Sequence, residues 1–222
     1  MRRCPTSELL DADCGNLGEV AGSLEDLRWF NRWFGGISTV RNLLKEVAGR
    51  TRQREFSVLE VAAAEGYIPQ LLTRELRTAG IRLEITLLDR LASHLPSNGN
   101  FAKIVADALH LPFPESSFDL VCCSLFLHHL CPDEVVQFAG EALRVCRVAL
   151  LAHDLIRHPL HLALAYAGIP FYQSRLTRND APASVHQAYT VPEMRDLLYR
   201  AGSGDVHIEE HFLFRMGAAA WK

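Results

Sequence analysis

Long apolar runs are missing from this chain. The most apolar stretch near the C-terminal third, Leu160 to Pro170, contains His161 and stops well short of the ~20 residues that span a bilayer, so no transmembrane helix is expected. Behind the basic opening Met1-Arg2-Arg3-Cys4-Pro5 no apolar run follows, which argues against a secretory signal and for a cytoplasmic protein. An excess of one charge is missing too: 23 Lys+Arg stand against 26 Asp+Glu, for a net charge of -3 and a pI near 6.4, and the arginines are scattered. Nothing in that balance calls for nucleic acid or a membrane surface, and a small molecule is the expected partner. Cysteine is too sparse for a disulfide framework: there are six in 222 residues, and Cys122 and Cys123 are adjacent inside an apolar run, so they read as reduced core residues. Cys122, Cys123, His128, His129 and Cys131 crowd together, but neighbours in a strand point to opposite faces, and no metal is expected from that spacing.

What the chain does have is apolar content, 49% of residues, enough for a sizeable core in one domain with a short N-terminal addition. Ser23 with Asp26 three residues on reads as a helix start and Gly35-Gly36 as its stop. That helix carries Trp29, Phe30, Trp33 and Phe34, either as a core stripe or as the wall of a pocket. Ile37, Val40, Leu44 and Val47 continue a second helix to Gly49. From Phe56 onward short apolar runs alternate with helical periods, which predicts βαβ units and a parallel sheet. Strands are expected at 57–62, 83–89, 101–105, 117–124 and 146–153, helices at 66–79 and from Pro132 to about Arg144. Residues 157–191 then break the rhythm with an apolar helix and a polar loop, Ser174 to Pro182, before a helix from about Pro192 to Ala201 and a final β pair over 205–220. A long late insertion of this kind is usually functional.

The most informative stretch is Ser57-Val58-Leu59-Glu60-Val61-Ala62-Ala63-Ala64-Glu65-Gly66: an apolar strand, an acid near its end, a turn of small residues, and a helical pattern directly after. Such a unit presents backbone N–H groups and an acid at the carboxyl edge of a sheet, where α/β folds bind ligands. A carboxylate in that turn would repel a pyrophosphate and suits a cationic cofactor; S-adenosylmethionine carries an ammonium and a sulfonium.

In order along the chain come Glu60, Ala62, Ala64 and Gly66 on an acid-x-Gly-x-Gly-x-Gly pattern, then Leu87-Leu88-Asp89, then Asp107-Ala108-Leu109-His110-Leu111-Pro112-Phe113, then Ser117-Phe118-Asp119-Leu120-Val121. This series resembles the class I S-adenosylmethionine-dependent methyltransferases, the small-molecule type that includes quinone-biosynthesis methyltransferases, well over residues 56–153 and loosely beyond. The resemblance implies an α/β, Rossmann-like, doubly wound, mostly parallel seven-stranded sheet with an antiparallel C-terminal strand. It also implies an N-terminal helical cap over 1–52 and a main domain over 53–222 with a lid or substrate insertion at about 157–191. By the same resemblance S-adenosyl-L-methionine is the cofactor. Glu60 lies near its methionine moiety, with Ala62, Ala64 and Gly66 at its carboxylate end. Asp89 with Arg90 serves the ribose, Asp107 and Ala108 the adenine, and Ser124 borders the site. As purely structural alternatives, Asp89 is a helix cap and Asp107 a turn former.

Two departures stand out. Ala62 and Ala64 replace glycines, where a Cβ at positive φ costs on the order of 1 kcal/mol, so either the turn is redrawn or cofactor binding weakens. A Pro-Gly-Gly turn before the fifth strand is replaced by Arg144-Val145-Cys146-Arg147-Val148-Ala149-Leu150. That is similar to a compact bacterial subgroup, associated with polyketide-type phenolic products, which shares the 157–162 and 181–185 segments.

A base is needed only if the acceptor is a protonated oxygen or carbon. The candidates at the sheet's carboxyl edge are His128, His129, His153 and Asp154, with at most one of His128 and His129 expected to face the pocket, and His158, His186 and Tyr189 as weaker substrate contacts. O-methylation of a small hydrophobic acceptor, a phenol, quinol or polyketide-like product, is the favoured activity. A nicotinamide-dependent oxidoreductase and a non-catalytic cofactor-binding scaffold are the rivals. The sequence is compatible with a homodimer.

Overall fold

The structure, a computed structural model, describes residues 1–10, 15–96 and 101–222. Its centre is a seven-stranded sheet of β1 (Glu55–Val61), β2 (Arg82–Asp89), β3 (Ala102–Val105), β4 (Phe118–Ser124), β5 (Cys146–Leu155), β6 (Asp205–His211) and β7 (Arg215–Trp221), in the order β3-β2-β1-β4-β5-β7-β6. All pairs are parallel except those of β7, which runs antiparallel to both β5 and β6. The helices are α1 (Leu17–Trp33), α2 (Gly36–Thr51), α3 (Tyr67–Thr78), α4 (Pro132–Val145), α5 (Pro159–Gly168), α6 (Arg175–Gln187) and α7 (Val191–Arg200). None is long and apolar enough to cross a membrane among the described residues.

The central strands β1, β4, β5 and β7 form where expected because each is a largely apolar run buried on both faces, as a covered sheet demands, whereas the edge strands β3 and β6 keep exposed positions. Val58 joins a core with Leu72 and Leu76 of α3 and Leu43, Leu44 and Val47 of α2; Leu59 joins the opposite core with Phe138 and Ala139 of α4 and Leu197 and Leu198 of α7. Adjacent Cys122 and Cys123 fall into these two different cores. Because β1 lies between β2 and β4, successive connections leave it in opposite directions, and a crevice opens at the carboxyl ends of β1 and β4. α2 lies against β5 and β7, whereas α6 packs on both α1 and α5.

Two expected boundaries are corrected. α1 starts not at Ser23 but after Asn16, whose side chain accepts from Glu19 N–H while the Glu19 carboxylate accepts from Asn16 N–H. Ser23 and Asp26 are interior and buried, and the Asp26 carboxylate accepts instead from the N–H groups of Gln173 and Ser174. The polar stretch Ser174 to Pro182, expected as a loop, is the N-cap and first half of α6. Ser174 Oγ caps it by accepting from Leu176 N–H, and its polar face is buried by the N-terminal strap: Asp180 accepts from Leu9 and Leu10 N–H at 2.8 and 3.0 Å. Tertiary partners for polar side chains override the local propensity.

Phe138 is fully buried between the sheet and α7, edge-on to Phe126 at 5.3 Å. Phe138→Ala is expected to destabilise the protein by about 3–5 kcal/mol, measured by urea unfolding; a loss below about 1 kcal/mol would contradict this packing.

Candidate active site

A cavity of about 950 Å³ opens at the carboxyl edge of the sheet, walled by the ends of β1, β2 and β4, the first turn of α3, and α1, α5, α6 and the β6–β7 turn. Strain concentrates around it. Seven described non-glycine residues have positive φ, and five of them, Ala62, Ala64, Leu125, Leu213 and Phe214, line this cavity. Ala62 and Ala64, at 54° and 43°, keep the left-handed conformation a glycine would hold, so the turn is not redrawn. Gly66, at 66°, does not line the cavity; a Cβ there would come within 2.9 Å of Leu87 Cδ1, so its role is close packing.

Asp89 ties the turn to β2: Oδ2 accepts from Ala64 N–H at 3.0 Å and Oδ1 from Leu91 N–H at 3.2 Å. Asp107 does form a turn, accepting from Leu109 N–H at 2.9 Å. Each carboxylate keeps further lone pairs, and both residues line the cavity with Arg90, Ala108 and Ser124. Glu60 is buried at the crevice. Burial pushes its carboxyl up to about 8, against the hydrogen bond from Ser124.

The opposite wall carries a charged cluster. The chain after β4 makes a single 3₁₀ turn, Leu127–His129, which brings both His128 and His129 to the cavity, correcting the expectation that only one faces it. A 3₁₀ turn does not alternate faces as a strand does, and the two rings lie 4.1 Å apart. His128 Nδ1 meets Asp154 Oδ1 at 2.5 Å, and Asp154 Oδ2 accepts from His128 N–H at 3.1 Å. Glu8 of the N-terminal strap reaches His128 Nε2 at 3.5 Å and His129 Nδ1 at 4.0 Å, and accepts from Ser184 Oγ and Gln187 Nε2, each at 2.6 Å. Burial works against a charge on His128, but Asp154 and Glu8 outweigh it and push the imidazole up to about 10. His128 is therefore a cation, not a base. Three donor atoms of Glu8, His128 and His129 lie within 4.8 Å of one another, close enough to share a cation, although Glu8 already accepts two hydrogen bonds.

Other sequence candidates are displaced. His153 sits on β5 away from the cavity, buried, with both ring nitrogens unpartnered, and burial pushes it down to about 3. Asp154 does not line the cavity and acts through His128. His158 stacks on Phe214, His186 gives its carbonyl to Cys4 N–H, and Tyr189 donates to Leu130 O; none lines the cavity. Sequence inspection missed Glu8 and Arg215, which lie in segments without any motif and arrive only by folding.

A family model described as "Methyltransferase domain" matches residues 59–149. The structure superposes on the plantazolicin methyltransferase BpumL in complex with a monoazolic desmethylPZN analog and SAH, with a TM-score of 0.70, 12% identity, and 97% of this chain and 94% of that one covered. Residues 59–149 match a methyltransferase domain, and the chain shares the fold of S-adenosylmethionine-dependent methyltransferases. A SAM-dependent methyltransferase from Aquifex aeolicus also matches, with a TM-score of 0.53 and 15% identity over 81% of this chain and 87% of that one. The rat protein "Arginine-hydroxylase NDUFAF5, mitochondrial" is 32% identical over 94 residues, 39% of this chain. This chain spans only about a quarter, 27%, of that relative, whose named reaction therefore stays with it.

The residues that line the cavity fit S-adenosylmethionine. Glu60 is a buried carboxyl with no cationic partner among the described residues, suited to the cofactor's ammonium. The first turn of α3 lines the cavity with no side chain capping its N-terminus, suited to a carboxylate. Since the free protein holds Glu60 protonated at pH 6–7, cofactor binding should release a proton. Affinity is then expected to rise by up to about tenfold per pH unit from 6 to 8 and level off above, and Glu60→Gln to flatten the rise. Calorimetry in buffers of different ionisation enthalpy measures this, and binding with no proton release would contradict it. His128 has its pKa raised on folding, so its contribution to stability is complete below about 6.5 and lost as pH rises through about 10. The stability difference between wild type and His128→Phe should shrink over that window in urea unfolding; a constant difference would refute the charged His128.

Proposed function

We propose that this methyltransferase modifies a small hydrophobic acceptor, a phenol, quinol or polyketide-like product, on oxygen. The observation that carries this reading is the polarity of the cavity. Apart from the cofactor half, its walls are apolar side chains such as Leu24, Leu27, Phe30, Leu164 and Tyr172, and its main polar cluster is Glu8, His128 and His129. An aromatic body fits the first and a hydroxyl the second.

S-adenosylmethionine supplies an electrophilic methyl group on a sulfonium. The chain's own task is to hold the acceptor in line, which is where most of the rate gain in such a displacement arises. His128, kept charged by Asp154 and Glu8, sets a positive charge beside the acceptor oxygen and favours its phenolate form; His129 takes the proton. The strap of residues 1–10 and α1 form the part of the 1–52 cap that borders the cavity, and α5 and α6 make the 157–191 insertion a lid. The Arg28–Glu65 ion pair closes α1 over the cofactor turn.

Titration of S-adenosylmethionine and S-adenosylhomocysteine, with NAD as control, followed by transfer of labelled methyl to a phenol panel, tests this. Binding of both sulfonium-derived ligands and labelling of oxygen are expected, and His129→Gln should lower kcat by about 10²–10⁴ with cofactor affinity unchanged. Cofactor binding without labelling of any phenol would refute the acceptor class.

A further inference from the structure

Arg215 begins β7 and lines the cavity, yet it is only 5% exposed. Its Nε donates to Phe34 O at 3.2 Å, at the end of α1, while Nη1 is buried with no partner. Among the described residues no carboxylate lies within ion-pair distance of it. Asp154, the one acid near enough to favour its charge, is already bound to His128. The neighbouring imidazoles make no counter-charge. His153 and His161 are both pushed down, first by burial and further by the Arg215 charge. A buried guanidinium without a counter-ion is expensive, and sites where the fold tolerates one are sites where an anion arrives. Around it the cavity wall is apolar: Phe34, Leu213 and Phe214, the last stacked on His161 at 5.2 Å.

The geometry points to Arg215 as the anchor of a carboxylate on the acceptor, so the substrate is an apolar or aromatic acid rather than a neutral phenol. This rests on the methyl-transfer reading for what happens to the ligand, but not for its binding. The guanidinium offers its free Nη donors to the carboxylate, and the apolar body lies along Phe214 and Phe34. Beyond them the mouth of the cavity is framed by Trp29, Leu164 and Phe171, the last 82% exposed, which leaves room for a further apolar substituent to reach the surface.

The test compares acids with their uncharged methyl esters. 4-Hydroxybenzoate and 4-hydroxycinnamate, each beside its ester, are titrated calorimetrically into the full-length protein with and without S-adenosylhomocysteine. Each acid is expected to bind at least about tenfold more tightly than its ester. Arg215→Met should bring that ratio to about one, and Arg215→Lys should keep part of it. If Arg215 only caps α1, Arg215→Met lowers the melting temperature while the acid-to-ester ratio stays as in wild type, and the proposal fails. It fails equally if acid and ester bind alike to wild type, or if neither member of either pair binds. Failure of S-adenosylhomocysteine to bind would sink the methyl-transfer reading instead, while the ratio in its absence still decides the role of Arg215.

Discussion

The acceptor half of the cavity depends on one buried contact, the ion pair of His128 with Asp154. It joins the 3₁₀ turn after β4 to the end of β5, two segments 26 residues apart in sequence, at 2.5 Å and out of water. Asp154 also takes the N–H groups of His128 and Leu155, so one carboxylate sets both the path of the turn and the orientation of the ring. An imidazolium in such a place needs compensation from more than one side, and Glu8 supplies the rest. Glu8 in turn draws the N-terminal strap across the cavity, where Arg3 secures it by donating to the carbonyls of His128, Leu130 and Gln187. A single charge thus recruits a wall of the pocket.

The cofactor half is held together differently, by backbone strain and a carboxylate clamp. Ala62 and Ala64 sit where L-residues are disfavoured, and the turn holds them there through Ala64 N–H on Asp89 and Ala63 N–H on Leu88 O. Asp89 is therefore a structural brace that also lines the cavity. Glu60 remains a buried acid, and burial favours its uncharged form.

Between the two halves the cap is pinned by buried contacts. Asp26 holds the start of α6, Asp180 holds the strap, and the edge-on contact of Phe30 with Tyr172 at 5.5 Å links α1 to the end of the α5 segment. Their outer surfaces stay apolar, with Trp29, Trp33, Leu160, Tyr166 and Phe171 exposed. The aromatic helix is thus partly core and partly rim, a combination that neither of the two separate expectations for it contains.

The sequence by itself determined the sheet and the cofactor edge. Runs such as Val58–Val61 and Leu120–Cys123, set between turn signals, read as strands buried on both faces, and the acid, small-residue turn and later Asp89 and Asp107 follow one another in a local code. Tertiary structure alone decided the acceptor side. Whether a histidine is a base, a cation or an inert core residue depends on which carboxylates surround it and how much water reaches it. Asp154 made His128 a cation, and burial beside Arg215 made His153 neutral. Glu8 and Arg215 meet the cavity across sequence separations that no motif records, because their partners are set by packing rather than by spacing along the chain.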